Sequence, residues 1–148
     1  MQFLLTLVVA AVAAAQTSGS LQRSDPVLVR QVIDGGTIDV ATVGRVRLLG
    51  LTAPFGRDAR DRLASLVLHR WIRLEYDSAT AAGRRRRLAY VVRGDGVFVN
   101  AALARDGLAR VNARPELSRF EELQRAQREA QALRRGMWAH ETARSHTR

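Results

Sequence analysis

Two residue types are missing from this chain of 148 residues. It contains no cysteine, so it has no disulfide. Without its first fifteen residues the chain still has about 130 residues, enough to bury one compact core without disulfides. It also contains no lysine, so its 24 basic residues other than histidine are all arginine and its formal net charge is +10. Such a surface favours polyanions, whether nucleic acid, acidic lipid headgroups or cell-surface polymers. The alternative is that arginine usage reflects a GC-rich genome and the charge is only solvated.

The first fifteen residues contain no charged side chain, and residues 3–15 are apolar apart from Thr6. Three alanines, 13–15, supply small residues for cleavage before Gln16, so residues 1–15 are predicted to be a secretory signal peptide, although no Lys or Arg precedes the apolar run. The segment is shorter than the roughly 20 residues of a transmembrane helix. We therefore expect a secreted or periplasmic protein. An uncleaved membrane anchor is the alternative.

The rest of the chain is interpreted as one domain with polar ends. Residues 16–26 are predicted to be a flexible leader because they are rich in Ser, Gln, Thr and Gly. Residues 27–139 carry the periodic apolar patterns of a folded domain. Residues 140–148 are predicted to be a polar tail.

Apolar periodicity predicts five strands, over residues 27–33, 37–41, 45–50, 71–76 and 87–92, with turns at 34–36 and 94–96. It also predicts a helix over 58–69 and a short one over 101–106, capped by Asn100 and closed by Gly107. A long helix is predicted to begin at a Ser118–Glu121 capping box and end at Gly136. Its apolar stripe is Phe120, Leu123, Ala126, Ala130 and Leu133. This order indicates an α+β, mainly β fold: a five-stranded OB-fold barrel with an inserted helix and two C-terminal helices.

Six short runs, in order, resemble the staphylococcal nuclease (thermonuclease) family over about residues 27–139. They are V-I-D-G-G-T-I (32–38), R-V-R-L-L-G-L-T-A-P (45–54), L-E-Y-D (74–77), R-R-L-A-Y-V (86–91), V-N-A-A-L-A-R-D-G-L-A-R-V (99–111) and G-M-W (136–138). The resemblance implies calcium-dependent cleavage of DNA and RNA phosphodiesters. In that family two Asp hold the metal, a Glu polarises the attacking water and two Arg bind the phosphate.

The resemblance carries both phosphate-binding arginines onto this chain. The first falls on Arg47 and the second on Arg86, with Arg84, Arg85 and Arg87 as neighbouring candidates for nucleic-acid contact. The alternative for Arg47 is an ordinary arginine on the barrel surface, and for Arg84, Arg85, Arg86 and Arg87 a solvated loop.

The acids of the family's site are replaced. The two metal-binding Asp positions fall on Gly36 and Thr52, and the Glu position falls on Phe55. Asp34 matches the other, non-liganding Asp of the turn, and one carboxylate is a poor calcium site because Ca²⁺ takes roughly six to eight oxygens. We therefore predict no metal ligands and no cofactor.

Other side chains do not obviously rebuild the site. Asp39 is expected on the opposite strand face from Gly36, while Asp58 and Asp61 start a helix and complement its dipole. The family's base-flanking aromatics are absent from residues 112–115. Glu75 and Asp77 are predicted to form structural hydrogen bonds rather than to take part in chemistry. Trp71 and Trp138 are predicted to pack in the core. The three histidines, His69, His140 and His146, lack the spacing of metal ligands.

Three functions remain open from the sequence. The first is an exported nuclease-fold protein that binds nucleic acid or another phosphate polyanion through its arginines while its catalysis is absent or weak. The second is an active metal-dependent endonuclease with a rearranged site. The third is an envelope module that binds a protein partner.

Overall fold

The computed structural model describes residues 20–52, 56–80 and 87–140. The predicted signal segment and the tail beyond His140 lie outside them. No helix in the described ranges is long and apolar enough to cross a membrane. The elements are β1 Leu21–Arg23, β2 Val27–Asp34, β3 Thr37–Val40, β4 Gly44–Leu48, β5 Leu51–Thr52, α1 Gly56–Val67, β6 Trp71–Asp77, β7 Leu88–Arg93, α2 Val99–Arg105, β8 Arg110–Val111, α3 Phe120–Ala132 and a 3-10 helix, Gly136–Ala139.

Five strands close into a barrel. β2, β3 and β4 form an antiparallel meander, β4 then pairs with β7 in parallel, and β7 and β2 both pair with β6. α1 follows the third barrel strand, and α2 and α3 follow the last one. The predicted five-stranded OB-type barrel, in a mainly β member of the α+β class, is confirmed.

The predicted flexible leader is wrong for its central residues. Leu21–Arg23 form β1, which pairs antiparallel with β6 through Leu21 and Asp77. The Arg23 side chain donates to the Glu75 carboxylate at 2.9 Å. β2 pairs with the first two residues of β6, and β1 pairs with the last three along the same edge. β1 therefore extends the barrel wall beyond β2. Composition suggested a leader, but the unpaired edge of β6 gives this segment hydrogen-bonding partners.

The barrel interior is filled by the alternate residues of its strands, and α1 covers it. The buried strand residues include Val29, Ile38, Val40, Val46, Ile72, Leu74 and Val91. Ala59, Leu63, Leu66 and Val67 of α1 are buried as their spacing predicts. The helix begins two residues before the predicted start and ends at Val67, and His69 follows in a left-handed conformation with φ 56°.

A second core lies between the barrel and the two C-terminal helices. Leu123, Ala126 and Ala130 of α3 are buried, as predicted. Leu133 was predicted on the same stripe, but it follows the end of the helix and is 56% exposed. The N-cap position of α3 is Arg119 rather than Ser118, whose backbone N–H instead donates to Asp77 at 2.7 Å.

Asn100 is not the predicted helix cap. It lies inside α2, fully buried, and the N-cap position is Phe98. Its side-chain oxygen accepts from the Val91 N–H and its amide nitrogen donates to the Leu49 carbonyl, both at 2.9 Å. Gly107 closes α2 with φ +70°, as predicted. The Asn100 side chain therefore joins α2 to the barrel wall.

Candidate functional site

Arg47 and Arg87 meet where β4 and β7 run side by side. The Arg47 N–H donates to the Arg87 carbonyl at 2.8 Å, and Arg47 lies opposite Leu88 in the parallel register. Both side chains are exposed. Within the described ranges neither guanidinium has an ion-pair partner. Because Arg47 pairs with Leu88, strand alternation places the Arg87 side chain on the opposite face of the sheet from the Arg47 side chain. Among the described residues, both arginines nevertheless add positive charge to this end of the barrel, which suits a phosphate group.

The β2–β3 hairpin lies against the same strand. The Leu48 N–H donates to the Gly36 carbonyl at 2.9 Å, and Thr37 lies opposite Arg47 in the β3–β4 register. The Asp34 carboxylate closes the hairpin by accepting from the Gly36 N–H at 2.8 Å. Position 36 is therefore near Arg47 but has no side chain to offer a ligand.

Thr52 ends the short strand β5, which pairs with β8. It lies opposite Arg110 and is exposed. The Arg110 guanidinium lies 4.8 Å from the centre of the Trp138 ring, a cation–π contact. The Trp138 side chain is buried, as the packing prediction requires. Thr52 supplies a hydroxyl where a metal-binding Asp was expected from the resemblance.

The described residues at the positions that the resemblance assigns to metal ligands offer few oxygen atoms. In the ranges given above, no three His, Cys, Asp or Glu side chains group together as a metal site. Gly36 has no side-chain oxygen and Thr52 offers one neutral hydroxyl, whereas calcium binding requires several oxygens, usually with carboxylates among them. Phe55, Arg84, Arg85 and Arg86 lie outside the described residues. No chemical step through a metal follows from this donor set.

The other acids of the barrel have structural partners. Asp39 accepts from Arg30 at 3.1 Å on the outer face of β2 and β3. Asp58 lies in the first turn of α1, where its charge complements the helix dipole.

Glu75 and Asp77 are hydrogen-bonded, as predicted, and both are buried. Arg23 and Arg119 donate to the two carboxylate oxygens of Glu75 at 2.9 and 2.8 Å. The Arg119 guanidinium also lies 4.4 Å from the centre of the Phe98 ring. The side chains of Arg23 and Arg119, which lie on other segments, enclose Glu75.

Asp77 accepts from three donors: the Tyr90 hydroxyl at 3.1 Å, the Ser118 N–H at 2.7 Å and the Ala79 N–H at 3.0 Å. Burial raises the pKa of the Tyr90 phenol far above its usual range, and the charge of Asp77 raises the pKa further. The pair joins β6, β7 and the approach to α3, so its role is structural.

Trp71 was predicted to pack, and that prediction is wrong. Its side chain is 62% exposed at the start of β6. The sequence contained the signal, because Trp71 alternates with buried Ile72 and therefore faces outward with Arg73.

Residues 37–140 match the family model described as Staphylococcal nuclease homologue. The thermonuclease of Staphylococcus intermedius is 35% identical over 131 residues, 78% of this chain and 77% of that protein. The thermonuclease of Staphylococcus hyicus is 34% identical over 124 residues, covering 74% of this chain and 73% of that protein.

The closed five-stranded barrel with its three helices is consistent with the OB-like fold of this family. The chain belongs to the staphylococcal nuclease family.

Proposed function

We propose that this thermonuclease-like protein binds the phosphate backbone of nucleic acid at the Arg47–Arg87 end of the barrel, and that its catalysis is absent or weak. The observation that carries the proposal is the exposure of Arg47 and Arg87 at the same end of the barrel, where neither side chain has an acidic partner in the described part of the chain. The relatives named thermonuclease and the net charge of +10 support a polyanionic ligand.

The catalytic half of the proposal rests on residue identity. Gly36, Thr52 and Phe55 stand where the family resemblance expects three acids. A metal lowers the pKa of its bound water and neutralises phosphate charge, and removing its ligands removes both contributions. Bidentate hydrogen bonds from guanidinium groups to phosphate do not need the metal, so binding can persist without hydrolysis.

The test is one set of incubations. The full chain is mixed with single-stranded DNA and RNA in Ca²⁺, in Mn²⁺ and in EDTA, and both cleavage and binding are measured. We expect salt-sensitive binding in all three and no cleavage. An Arg86→Ala preparation exposes any contaminating nuclease. Metal-dependent cleavage that this variant loses would instead identify an active enzyme with a rearranged site.

Charge-loss variants locate the binding. Arg47→Gln should weaken binding, whereas Arg125→Gln is the matched control, because Arg125 is an exposed α3 arginine with no ion pair among the described residues. Equal losses in the two variants would indicate diffuse attraction to the whole surface. Binding of a protein partner that survives both Arg47→Ala and Arg86→Ala would favour the interaction-module alternative.

We also propose export, because residues 1–15 combine a lack of charge with an apolar run. Mass measurement of the protein from the culture medium or periplasm tests this. A chain beginning near Gln16 supports the proposal, and full-length protein confined to the cytoplasm contradicts it.

A further inference from the structure

Trp71 lies exposed on the barrel wall. The indole is 62% exposed, and the only other large apolar side chain exposed to this degree in the described residues is Leu133, at 56%. Trp71 lies opposite Leu28 in the β6–β2 register, next to Ile72, which points into the core. A single exposed apolar residue is ordinary in itself. The residues around Trp71 distinguish it from such a case.

The surroundings of Trp71 are basic. Arg70 precedes it and has no ion-pair partner among the described residues, while Arg73 shares its strand face and donates to the Ser24 carbonyl rather than to an acid. A shallow surface pocket of about 380 Å³ lies beside the ring. It is lined by His69, Arg70, Trp71, Arg93, Gly94 and Asp95. The one acid in that pocket, Asp95, is paired with Arg93.

The Trp71 surface is separate from the Arg47–Arg87 end. Trp71 lies opposite Leu28, near the start of β2, whereas Arg47 lies beside the hairpin that begins at Asp34, the last residue of β2. At about 3.3 Å per residue, Leu28 and Asp34 are roughly 20 Å apart along the strand. The exposed Arg30 lies between them on β2.

We propose that Trp71 is a stacking platform for an unpaired base of single-stranded nucleic acid, with Arg70 and Arg73 contacting the flanking phosphates. Every base has a π-face, so an exposed aromatic ring between cations binds single strands with little sequence preference. The apolar element is one ring rather than a broad patch, which favours a base over a membrane surface or a protein interface. The inference rests on the proposed binding of nucleic acid and adds a second contact far from the phosphate site.

The chain's two tryptophans make the proposal measurable. Trp71 is exposed, whereas Trp138 is buried beneath Arg110 and should report little of ligand binding. An oligo-dT of about twelve nucleotides and inorganic polyphosphate are titrated separately into the full chain in the presence of EDTA. Each titration records the tryptophan fluorescence and gives the affinity. Stacking predicts that oligo-dT quenches the fluorescence, and that polyphosphate binds without comparable quenching.

Three variants separate stacking from charge and from folding. Trp71→Leu should weaken oligo-dT binding about five- to 150-fold and leave polyphosphate binding unchanged. Trp71→Phe keeps an aromatic face and should retain most of the affinity. Leu133→Ala removes an exposed apolar side chain elsewhere and should change the affinity for neither ligand.

The outcomes also separate this inference from the proposed function. If Arg47→Gln weakens oligo-dT binding and Trp71→Leu does not, phosphate binding stands and the stacking platform is refuted. Equal loss for oligo-dT and polyphosphate in Trp71→Leu would show that the indole acts through structure. Binding to acidic phospholipid vesicles that depends on Trp71, without an effect on oligo-dT, would assign the surface to membranes instead. A full chain that binds no nucleic acid contradicts both proposals.

Discussion

The side-chain amide of Asn100 donates to the backbone carbonyl of Leu49 at 2.9 Å, and its oxygen accepts from the Val91 N–H at the same distance. The Leu49 N–H donates to Ala89, so continuation of the parallel β4–β7 ladder would join the Leu49 carbonyl to the Val91 N–H. The Asn100 side chain replaces that missing bond, because its amide nitrogen is a donor and its amide oxygen is an acceptor. A side chain from α2 thus completes the backbone bonding where β4 and β7 diverge.

Replacing Asn100 by alanine should destabilise the protein by about 2–6 kcal/mol, because a buried carbonyl and a buried N–H each lose a partner at about 1–3 kcal/mol. Urea unfolding followed by circular dichroism measures the change. Asn112→Ala is the control, since Asn112 is exposed, and it should stay within about 0.5 kcal/mol of the parent. Equal stability of the two variants would show that water or a shifted strand satisfies the two backbone groups.

Alkaline pH should unfold the protein through Tyr90. Burial raises the pKa of this phenol in the folded state, so above about pH 10 the unfolded chain loses its proton first. Stability from this group is complete below pH 10 and falls as pH rises towards the folded-state pKa, by up to about 1.4 kcal/mol per pH unit. Urea midpoints at pH 9, 10 and 11 measure the slope, which should be smaller in Tyr90→Phe. An unchanged slope would assign the alkaline transition to other groups.

Gly107 should tolerate no side chain. A Cβ there would lie 2.1 Å from the Arg135 carbonyl oxygen, and its φ is +70°. Gly107→Ala should cost about 2–5 kcal/mol, combining left-handed strain with overpacking against the chain before the 3-10 helix. Gly94→Ala is the control because a Cβ there has no neighbour within 4 Å. Thermal unfolding of both variants gives the comparison, and a stable Gly107→Ala would mean that the two segments separate at little cost.

The arginines at the barrel end should determine part of the salt dependence of nucleic-acid binding. Arg47→Gln and Arg87→Gln should each reduce the slope of log affinity against log salt by about one, with a similar effect on different sequences. Titrations of oligo-dT and of oligo-dA from low to moderate salt measure the slopes. A loss confined to one base would indicate contact with bases rather than with phosphates.

Local patterns predicted the barrel strands well, because buried residues such as Val29, Ile38 and Val46 alternate with partly or fully exposed neighbours. Alternation along β6 does not predict the burial of Glu75, because that burial depends on Arg23 and Arg119, which are distant in sequence. Leu21–Arg23 look like a polar leader until the free edge of β6 supplies partners. In both cases the contact that decides the outcome joins residues that are far apart in the sequence.

The resemblance to the nuclease family identifies Arg47 and the substituted positions 36 and 52 from the sequence alone. The contact between Arg47 and Arg87 requires β4 and β7 to lie in parallel, which no local pattern shows. The role of Asn100 was missed for the same reason, because its two partners lie on other strands.

The sequence by itself determined the arginine-only charge, the alternation that builds the barrel and the identities of the residues at the family's acidic positions, because these are properties of the chain order. Tertiary structure decided which charges are neutralised, which aromatic ring meets solvent and which arginines are neighbours. Those properties depend on closure of the barrel, since closure brings together segments whose separation along the chain exceeds the range of any periodic signal.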